Sequence, residues 1–340
     1  MGRLLSFILL LMLAYSCSDI TLDKRFKTIN ITGYEERNID FASYASKIDT
    51  VFFRLEGGAS YISSITSFDL GDRMLAVADN DNRISLFDIK TGKLLKQAKR
   101  IGHATGEYTQ ANVVKCVADT VLVMDSYGRK IIKYDKNFMF INKIDLDFMP
   151  LDFEIIDNGF LFSRLDAQEK DKRFIITDQK GQVKQQVVSA SPLSSQLVTF
   201  KSITGKASKE AVYFHEPMSD KIYKWENGKA NPAFAFYFPD HNGNDLTEEY
   251  AAILKDCFVT NKYLICSFIY NHKGCYAIYS KTDGKMIAGS FDLNSGRPFS
   301  PMLQKGNQLV GLFHTNDLSK LRNWKPKTVD SELTMLIYHF

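Results

Sequence analysis

Two adjoining stretches of this chain share one pattern, and this repeat constrains the fold more than any other feature. Residues 74–98 read MLAVADNDNRISLFDIKTGKLLKQA, and residues 121–144 read VLVMDSYGRKIIKYDKNFMFINKI. In each copy an apolar strand ends in Asp (Asp79 or Asp125), a polar turn follows, and an alternating strand ends in an aromatic residue and Asp. Antiparallel repeats of this kind bury their faces against neighbouring copies. The sequence therefore predicts an array of similar sheets.

The pattern continues along the chain and predicts six copies. The third strands of these copies are expected to end at Asp88, Asp135, Asp178, Glu226, Ser280 and His339. Their spacing is near or slightly above the roughly 40 to 50 residues of a four-stranded propeller blade. The last copy ends on its third strand, and an isolated strand at 50–55 would supply the fourth. We predict an all-β fold, a six-bladed β-propeller with four-stranded antiparallel blades, in which this N-terminal strand pairs with residues 333–340 and closes the ring.

The N-terminus predicts export and a lipid anchor. The apolar run at residues 4–13 is too short for an ordinary membrane span and fits a secretory signal. Cys17 follows directly, which resembles a bacterial lipoprotein signal whose cysteine is acylated; an ordinary signal-peptidase site at the same bond is the alternative. We expect a signal peptide at 1–16, a lipid-anchored tether and short N-terminal segment at 17–49, and the propeller at 50–340. The expected location is the cell envelope, attached to the outer membrane and facing the periplasm or the surface.

Composition and cysteine spacing exclude several classes of function. Lys and Arg number 43 against 39 Asp and Glu, and these charges are scattered, so no nucleic-acid partner is expected. Four further cysteines show no metal-binding spacing and are predicted to be buried and unpaired; they are Cys116, Cys257, Cys266 and Cys275. Residues 247–255 are the one good helix candidate. Neither sialidase-type boxes nor a G-x-S-x-G nucleophile motif occurs.

Polar residues recur at equivalent places and form the candidate site. Aligning the ends of the second strands places one polar residue in every copy: Asp79, Asp125, Arg164, His215, Ser267 and His314. His103 and Glu107 lie on a long linker beside them, and five of the six histidines fall in loops of one propeller face: His103, His215, His241, His272 and His314. The simpler interpretation is that loops are polar and that Asp closes its own turn. The arginine and the histidines are not needed for that purpose, so we predict a ligand site.

The mixed acidic, basic and imidazole character of this site suits a polar small molecule, a glycan or a peptide. We expect a non-enzymatic binding or scaffold protein with no cofactor, no catalytic residue and no bound metal. The alternative is a metal-dependent hydrolase or lactonase-like propeller enzyme that uses carboxylates and histidines of the same face to hold a cation. A third hypothesis is that the propeller only docks onto a partner protein. The expected partners are the membrane, through the anchor, and one such ligand or protein.

The linker at residues 101–110, IGHATGEYTQ, resembles the linker of the six-bladed β-propeller lipoproteins of the Bacteroidetes type. The flanking LAVADNDNRISLFD and LVMDSYGRKIIKYD resemble the NHL- or TolB-like blades of that family, and the C-terminal MLIYHF is similar to its closing strand. The resemblance implies the propeller fold and the envelope location. It names no chemistry, because most members of the family have no assigned activity.

Overall fold

The computed structural model describes residues 23–34, 38–168, 170–190, 203–208, 211–216, 219–238, 253–270, 273–291, 298–319 and 331–340. These residues form 26 β-strands, one 3₁₀ turn at Phe41–Tyr44 and one short α-helix, α1 (Thr315–Ser319). Within the described part of the chain, no helix is long and apolar enough to cross a membrane. The predicted signal peptide, Cys17, His241 and His272 lie outside the described residues.

Three strands precede the repeats: β1 (Lys27–Asn30), β2 (Asn38–Ile39) and β3 (Lys47–Phe53). Strand β3 corresponds to the isolated strand expected at 50–55, and it begins earlier, at Lys47.

The next strands form three separate four-stranded antiparallel sheets, in which each strand pairs with the next along the chain. Sheet 1 contains β4 (Ile65–Leu70), β5 (Met74–Asp79), β6 (Ile84–Asp88) and β7 (Leu94–Ala98). Sheet 2 contains β8 (Val113–Val117), β9 (Thr120–Asp125), β10 (Lys130–Asp135) and β11 (Phe140–Asp145). Sheet 3 contains β12 (Pro150–Ile156), β13 (Gly159–Arg164), β14 (Lys172–Asp178) and β15 (Val183–Ser189). Every residue of β5 is buried, because neighbouring sheets cover both of its faces.

The rest of the chain forms three more antiparallel meanders. Meander 4 contains β16 (Ile203–Lys206), β17 (Val212–His215), β18 (Lys221–Glu226) and β19 (Lys229–Tyr237). Meander 5 contains β20 (Ile253–Val259), β21 (Tyr263–Tyr270), β22 (Lys273–Ser280) and β23 (Met286–Phe291). Meander 6 contains β24 (Leu303–Lys305), β25 (Gln308–His314) and β26 (Leu333–His339). The predicted third-strand ends at Asp88, Asp135, Asp178, Glu226, Ser280 and His339 are the last residues of β6, β10, β14, β18, β22 and β26.

The N-terminal strands lie along the outer strands of the last three meanders. Strand β1 pairs in parallel with β19, and β2 pairs in parallel with β23. Strand β3 pairs antiparallel with β26, from Phe53 opposite Leu333 to Lys47 opposite His339. The predicted pairing of head and tail strands is therefore present. The two parallel pairings were not predicted.

The hydrophobic core consists of clusters that each join one meander to the next. Clusters of this kind join sheets 1 and 2, sheets 2 and 3, sheet 3 and meander 4, meanders 4 and 5, and meanders 5 and 6. A further cluster packs Leu75 and Phe87 of sheet 1 against Leu312 and Met335 of meander 6. The chain is thus an all-β protein with a β-propeller arrangement of antiparallel blades.

The number of sheets differs from the prediction of six separate blades, because the described strands form five sheets. Meanders 4 and 6 belong to one nine-stranded sheet, in which β16 and β24 pair in parallel through Gly205 opposite Gln304 and Lys206 opposite Lys305. Gly205 has a φ of +105°, and a Cβ atom there would lie 2.8 Å from the carbonyl oxygen of Gln304. The missing side chain allows the two inner backbones to approach this closely.

Two local predictions have clear outcomes. The helix expected at 247–255 is wrong in its described part, since residues 253–255 belong to β20, where Leu254 is buried opposite Phe268 of β21. Sheet pairing therefore overrides the local helix signal; residues 247–252 lie outside the described residues. The prediction of buried, unpaired cysteines is confirmed for Cys116, Cys257, Cys266 and Cys275. Cys266 lies opposite Ala277 on one side and Cys257 on the other.

Candidate functional site

The six aligned polar residues occupy two kinds of position. Five are the last residues of the second strands of their meanders: Asp79, Asp125, Arg164, His215 and His314. Ser267 instead lies inside β21, which continues to Tyr270. In an antiparallel meander, the loops after second strands emerge on the same side as the linkers between meanders. We call this side the linker face; it includes loops 80–83 and 126–129 and linkers 54–64 and 99–112.

Asp79 fastens a loop and a linker together. Its Oδ1 accepts hydrogen bonds from the backbone N–H groups of Asp81 (3.0 Å) and Arg83 (2.9 Å), and its Oδ2 accepts one from the N–H of Ser63 (3.3 Å). The guanidinium of Arg83 lies 3.4 Å from Oδ2. The carboxylate is buried, so these donors satisfy it inside the protein.

Asp125 likewise joins a loop and a linker in sheet 2. Its carboxylate accepts hydrogen bonds from the N–H and the hydroxyl of Thr109, both at 2.7 Å, and from the N–H of Gly128 at 2.9 Å. A Cβ atom at position 128 would lie 2.3 Å from Asp125 Oδ2, so only glycine fits this turn. Asp79 and Asp125 are therefore structural anchors of the linker face.

The residues GEY of the long linker hold that linker in its folded conformation. Glu107 Oε2 accepts a hydrogen bond from the backbone N–H of Ala104 at 3.1 Å. Tyr108 is fully buried, its hydroxyl donates to the carbonyl oxygen of Asn82 at 3.0 Å, and burial raises its pKa. His103 is exposed on the same linker. Of these residues, His103 is the one that presents its side chain to solvent.

Arg164 and His215 lie on either side of a buried ion pair that the sequence analysis missed. Arg164 Nε donates to Asp166 at 2.7 Å, and the Arg164 carbonyl oxygen accepts a hydrogen bond from Arg173 Nη1 at 2.7 Å. Arg173 is almost fully buried, and its Nε lies 3.6 Å from a carboxylate oxygen of Glu216. The ring of His215 contacts the Glu216 carbonyl oxygen at 3.1 Å through Nδ1.

His215 is completely buried, and its Nε2 atom has no hydrogen-bond partner among the described residues. Because Nδ1 faces a carbonyl oxygen, that nitrogen carries the proton in the neutral ring, and Nε2 is the free acceptor. Burial lowers the pKa of His215, although the Glu216 carbonyl and the nearby Asp256 partly oppose this shift. The histidine is thus kept neutral by its surroundings.

Ser267 and His314 also make internal contacts. The Ser267 hydroxyl donates to Asp256 Oδ2 at 2.9 Å and lies 3.1 Å from the Asp256 N–H, which joins β21 to β20. His314 Nε2 lies 3.0 Å from the carbonyl oxygen of Ser63. Since Asp79 accepts from the N–H of that same serine, Asp79 and His314 meet at Ser63. The predicted residues therefore form local pairs around the linker face and do not converge on a single cluster.

Charged side chains on the innermost strands form a second set that the sequence analysis missed. Lys115 of β8 and Glu154 of β12 form a buried pair at 2.7 Å. Asp69 of β4 lies 2.8 Å from Lys305 of β24 and accepts a hydrogen bond from the Cys116 N–H at 2.8 Å. The signal was charge inside an apolar stretch, such as the lysine of VVKCV in β8 and the two carboxylates of PLDFEII in β12. These pairs connect neighbouring inner strands.

Each member of the Lys115–Glu154 pair favours the charged form of the other. Burial lowers the pKa of Lys115, but the carboxylates of Glu154, Asp69 and Asp152 raise it more, so the net shift is upward. Burial raises the pKa of Glu154, but Lys115 and Lys305 lower it more, so the net shift is downward. Across the described part of the chain, no three His, Cys, Asp or Glu side chains are grouped so that they could hold a metal ion.

Two tyrosines of the linker face are strongly exposed. Tyr61 lies in the linker before sheet 1, and Tyr127 lies in the loop after β9; each exposes 66% of its surface. The carbonyl oxygen of Tyr61 accepts a hydrogen bond from Arg83 Nη1 at 2.8 Å, so its backbone is held to the neighbouring loop. The backbone next to Tyr127 is held as well, because the N–H of Ser126 donates to Asn112 at 2.9 Å. Both tyrosines are therefore large exposed side chains on segments whose backbone is held by hydrogen bonds.

Comparisons with known proteins agree with the fold. A family model described as "Domain of unknown function (DUF4934)" matches residues 26–337. A protein from Bacteroides fragilis NCTC 9343 that is predicted to be exported is 16% identical to this chain. Its crystal structure matches with a TM-score of 0.69 over 92% of this chain and 100% of that one. A DUF4221 family member from Bacteroides vulgatus is 11% identical, with a TM-score of 0.56 over 87% of this chain and 96% of that one. No curated protein matches the sequence.

Proposed function

This chain belongs to the DUF4934 family, a domain of unknown function, and on that premise we propose that it is an exported, lipid-anchored propeller that acts as a non-enzymatic binding or scaffold protein. Its ligand or partner is a polar small molecule, a glycan or a protein that meets the linker face. The observation that carries this proposal is that exposed side chains, Tyr61, Tyr127 and His103, lie on loops and linkers that buried carboxylates hold in place. Rigidly held loops on a scaffold are a common place for binding residues.

The proposal includes six blades in a closed ring. Six third strands end at the expected residues, and hydrophobic clusters join each meander to the next, including meander 6 to sheet 1. Strand β3 gives meander 6 its fourth strand. The nine-stranded sheet then counts as blades 4 and 6, which meet through β16 and β24. These observations support six blades, although hydrogen bonding alone separates five sheets.

The anchor is Cys17, attached to the outer membrane and placing the propeller in the periplasm or at the surface. The apolar run before this cysteine supports the assignment, and the related Bacteroides fragilis protein is likewise predicted to be exported. Several acyl chains on one residue make stable attachment. Replacing Cys17 by Ser is expected to move the protein from the membrane to the soluble periplasmic fraction. A wild-type protein that fractionates as soluble and incorporates no labelled fatty acid would contradict the anchor.

Binding is favoured over metal-dependent hydrolysis by the state of the carboxylates. Asp79 and Asp125 each already accept hydrogen bonds from at least three N–H or O–H donors. Asp69 and Glu154 are each within 2.8 Å of a lysine. A cation would have to displace these partners. Metal analysis of the purified protein tests the rival directly: a stoichiometric cation whose removal by chelator lowers the melting temperature would favour the enzyme.

Site-specific photo-cross-linking in cells tests the binding face. A photoreactive amino acid is placed at Tyr61 or Tyr127, and the matched control carries it at Lys229, which is exposed at the start of β19 on the opposite side of the propeller. We expect one discrete adduct from positions 61 and 127 and none from 229. The adduct should disappear when His103 and Arg164 are replaced by Ala in the same chain. Equal labelling from all three positions, or labelling from 229 alone, would contradict the proposal.

A further inference from the structure

We propose a separate carbohydrate-binding groove on the opposite side of the propeller, between sheet 3 and meander 4. This side, the turn face, carries the turns between first and second strands and between third and fourth strands, such as 157–158 and 227–228. The groove has a volume of about 290 Å³. Small-ligand pockets begin at roughly this size, about 300 Å³. Because it lies away from the linker face, this site is independent of the proposed function.

The floor of the groove is apolar and comes from both neighbours. Ile176 of β14 and Val212 of β17 are buried members of the cluster that joins sheet 3 to meander 4, and Trp225 of β18 completes it. Ile156, at the end of β12, is half-buried beside them. The packing of two blades thus fixes the floor in place. An apolar floor of this kind complements the C–H face of a sugar ring.

Trp225 adds a directed polar group to that floor. Its side chain lines the groove while the residue is only 8% exposed. Within the described part of the chain, no acceptor takes its indole N–H. The indole nitrogen is not among the buried side-chain atoms that lack a partner in that part of the chain, so solvent reaches this N–H where no protein acceptor does. This N–H is therefore available to donate to a hydroxyl oxygen of an occupant of the groove.

The rim supplies neutral groups that both donate and accept hydrogen bonds. Asn158, Gln185 and Asn227 line the groove, are exposed, and make no side-chain hydrogen bond to the described residues. Asp157 adds one free carboxylate, and the only lysine of the lining, Lys184, is paired with Asp178 at 2.9 Å. Side-chain amides match sugar hydroxyls because both partners donate and accept. The rim offers no unpaired cation, which disfavours phosphate or other strongly anionic ligands.

Indole nitrogen-15 NMR of the intact mature protein tests this site. The chain has two tryptophans, so Trp225→Phe assigns the indole resonance of Trp225. The probes are galactose, mannose, N-acetylglucosamine, cellobiose and N,N′-diacetylchitobiose, titrated to high millimolar concentration. We expect at least one of them to shift the Trp225 indole resonance in a saturable way.

Gln185→Ala and Gln186→Ala form a matched pair for the same titration. Both residues are exposed on β15, but Gln185 lines the groove and Gln186, the next residue, does not. We expect Gln185→Ala to weaken saccharide binding about tenfold, the effect of one lost hydrogen bond, and Gln186→Ala to leave it unchanged. Neither variant should alter cross-linking from Tyr127, so the two proposals can fail separately.

Three results would overturn the groove assignment. The first is that no saccharide shifts the Trp225 resonance saturably. The second is that both glutamine variants bind as the wild type does. The third is that a neutral tripeptide, N-acetyl-triglycine amide, shifts the resonance while the sugars do not.

Discussion

The two halves of this propeller treat their outer edges differently. Strands β7, β11 and β15 end sheets 1 to 3, and no described strand pairs with their outer sides. Strands β19, β23 and β26 each carry an N-terminal strand on that side. The sequences match this difference, because β15 begins with a run of exposed residues, VKQQ, whereas β19 ends in the apolar AFAFY. Polar residues and lysines protect an open edge, and an apolar edge needs a covering strand.

The comparison shows that the chain uses two solutions to the same problem. Sheets 1 to 3 are each formed by consecutive strands, and no described strand covers their outer edges. The later meanders depend on residues that lie far away in the sequence, at the N-terminus. Stability should therefore be shared unequally between the halves, which can be tested by variants matched across them.

Removing residues 23–53 should have the largest effect. The deletion takes away all three covering strands and leaves Met335 and other buried residues of meander 6 without their neighbours. We expect a loss of more than about 5 kcal/mol, enough to abolish cooperative unfolding of a typical domain. Calorimetry of the deletion protein, with full-length protein as control, measures this. A deletion protein that keeps the wild-type melting temperature would show that the halves do not differ in this way.

Glu154→Gln should be the next most costly change. It removes the ion-pair partner of the buried Lys115, and breaking a buried ion pair by removing one partner costs about 3–5 kcal/mol. The matched variant Asp69→Asn should cost less, about 1–2 kcal/mol, because Lys305 is 29% exposed and can turn to water. Urea denaturation of the two variants compares them. Equal losses would mean that the Asp69–Lys305 pair is excluded from water as completely as the Lys115–Glu154 pair.

Ile29→Ala tests the covered edge against the open one. Ile29 lies on β1, is 3% exposed and packs in the cluster that joins meanders 4 and 5, so we expect a loss of about 2–4 kcal/mol. Ile141 lies on the outer strand β11 and is 45% exposed, and Ile141→Ala should change the free energy of unfolding by less than about 0.5 kcal/mol. Urea denaturation measures the free energy of unfolding of both variants. Similar values for the two would argue against a covering role for β1.

The smallest expected effect is a pH dependence from His215. Because burial lowers its pKa below the ordinary 6.5, the unfolded chain binds a proton more readily than the folded one. Stability is therefore fully present above pH 6.5 and falls as the pH drops through 6.5 towards the folded pKa, by up to about 1.4 kcal/mol per pH unit. His215→Gln should flatten this slope, and His103→Gln, an exposed control from the first half, should not. Unchanged slopes in both variants would assign the titration to other groups.

The local repeat made the strand ends predictable. Asp88 and Asp135 follow aromatic residues at strand ends, and this short-range pattern places third strands correctly even in the degraded later copies. The same pattern placed Asp79 and Asp125 at loop starts but could not distinguish a ligand-binding carboxylate from one that anchors a linker. That distinction depends on donors such as Thr109, which the chain brings back from another loop.

Contacts between distant residues could not be predicted. Lys115 and Glu154 are 39 residues apart, and neither strand carries a sign of which charge lies opposite it. The parallel pairings of β1 with β19 and of β16 with β24 leave no periodic signal, because they join short strands whose partners are set by packing. The groove beside Trp225 is likewise a product of two neighbouring blades.

The pairing of β3 with β26 also has a consequence for the order of folding. Asp49 and His339 contact each other across 290 residues, and Ser46 reaches His339 across 293. Contacts of such sequence separation form late, because the chain between them must be ordered first. Sheets 1 to 3 can assemble as soon as their residues emerge, whereas the covering strand waits for the last residues of the chain. Strand β3 is thus synthesised early and pairs late.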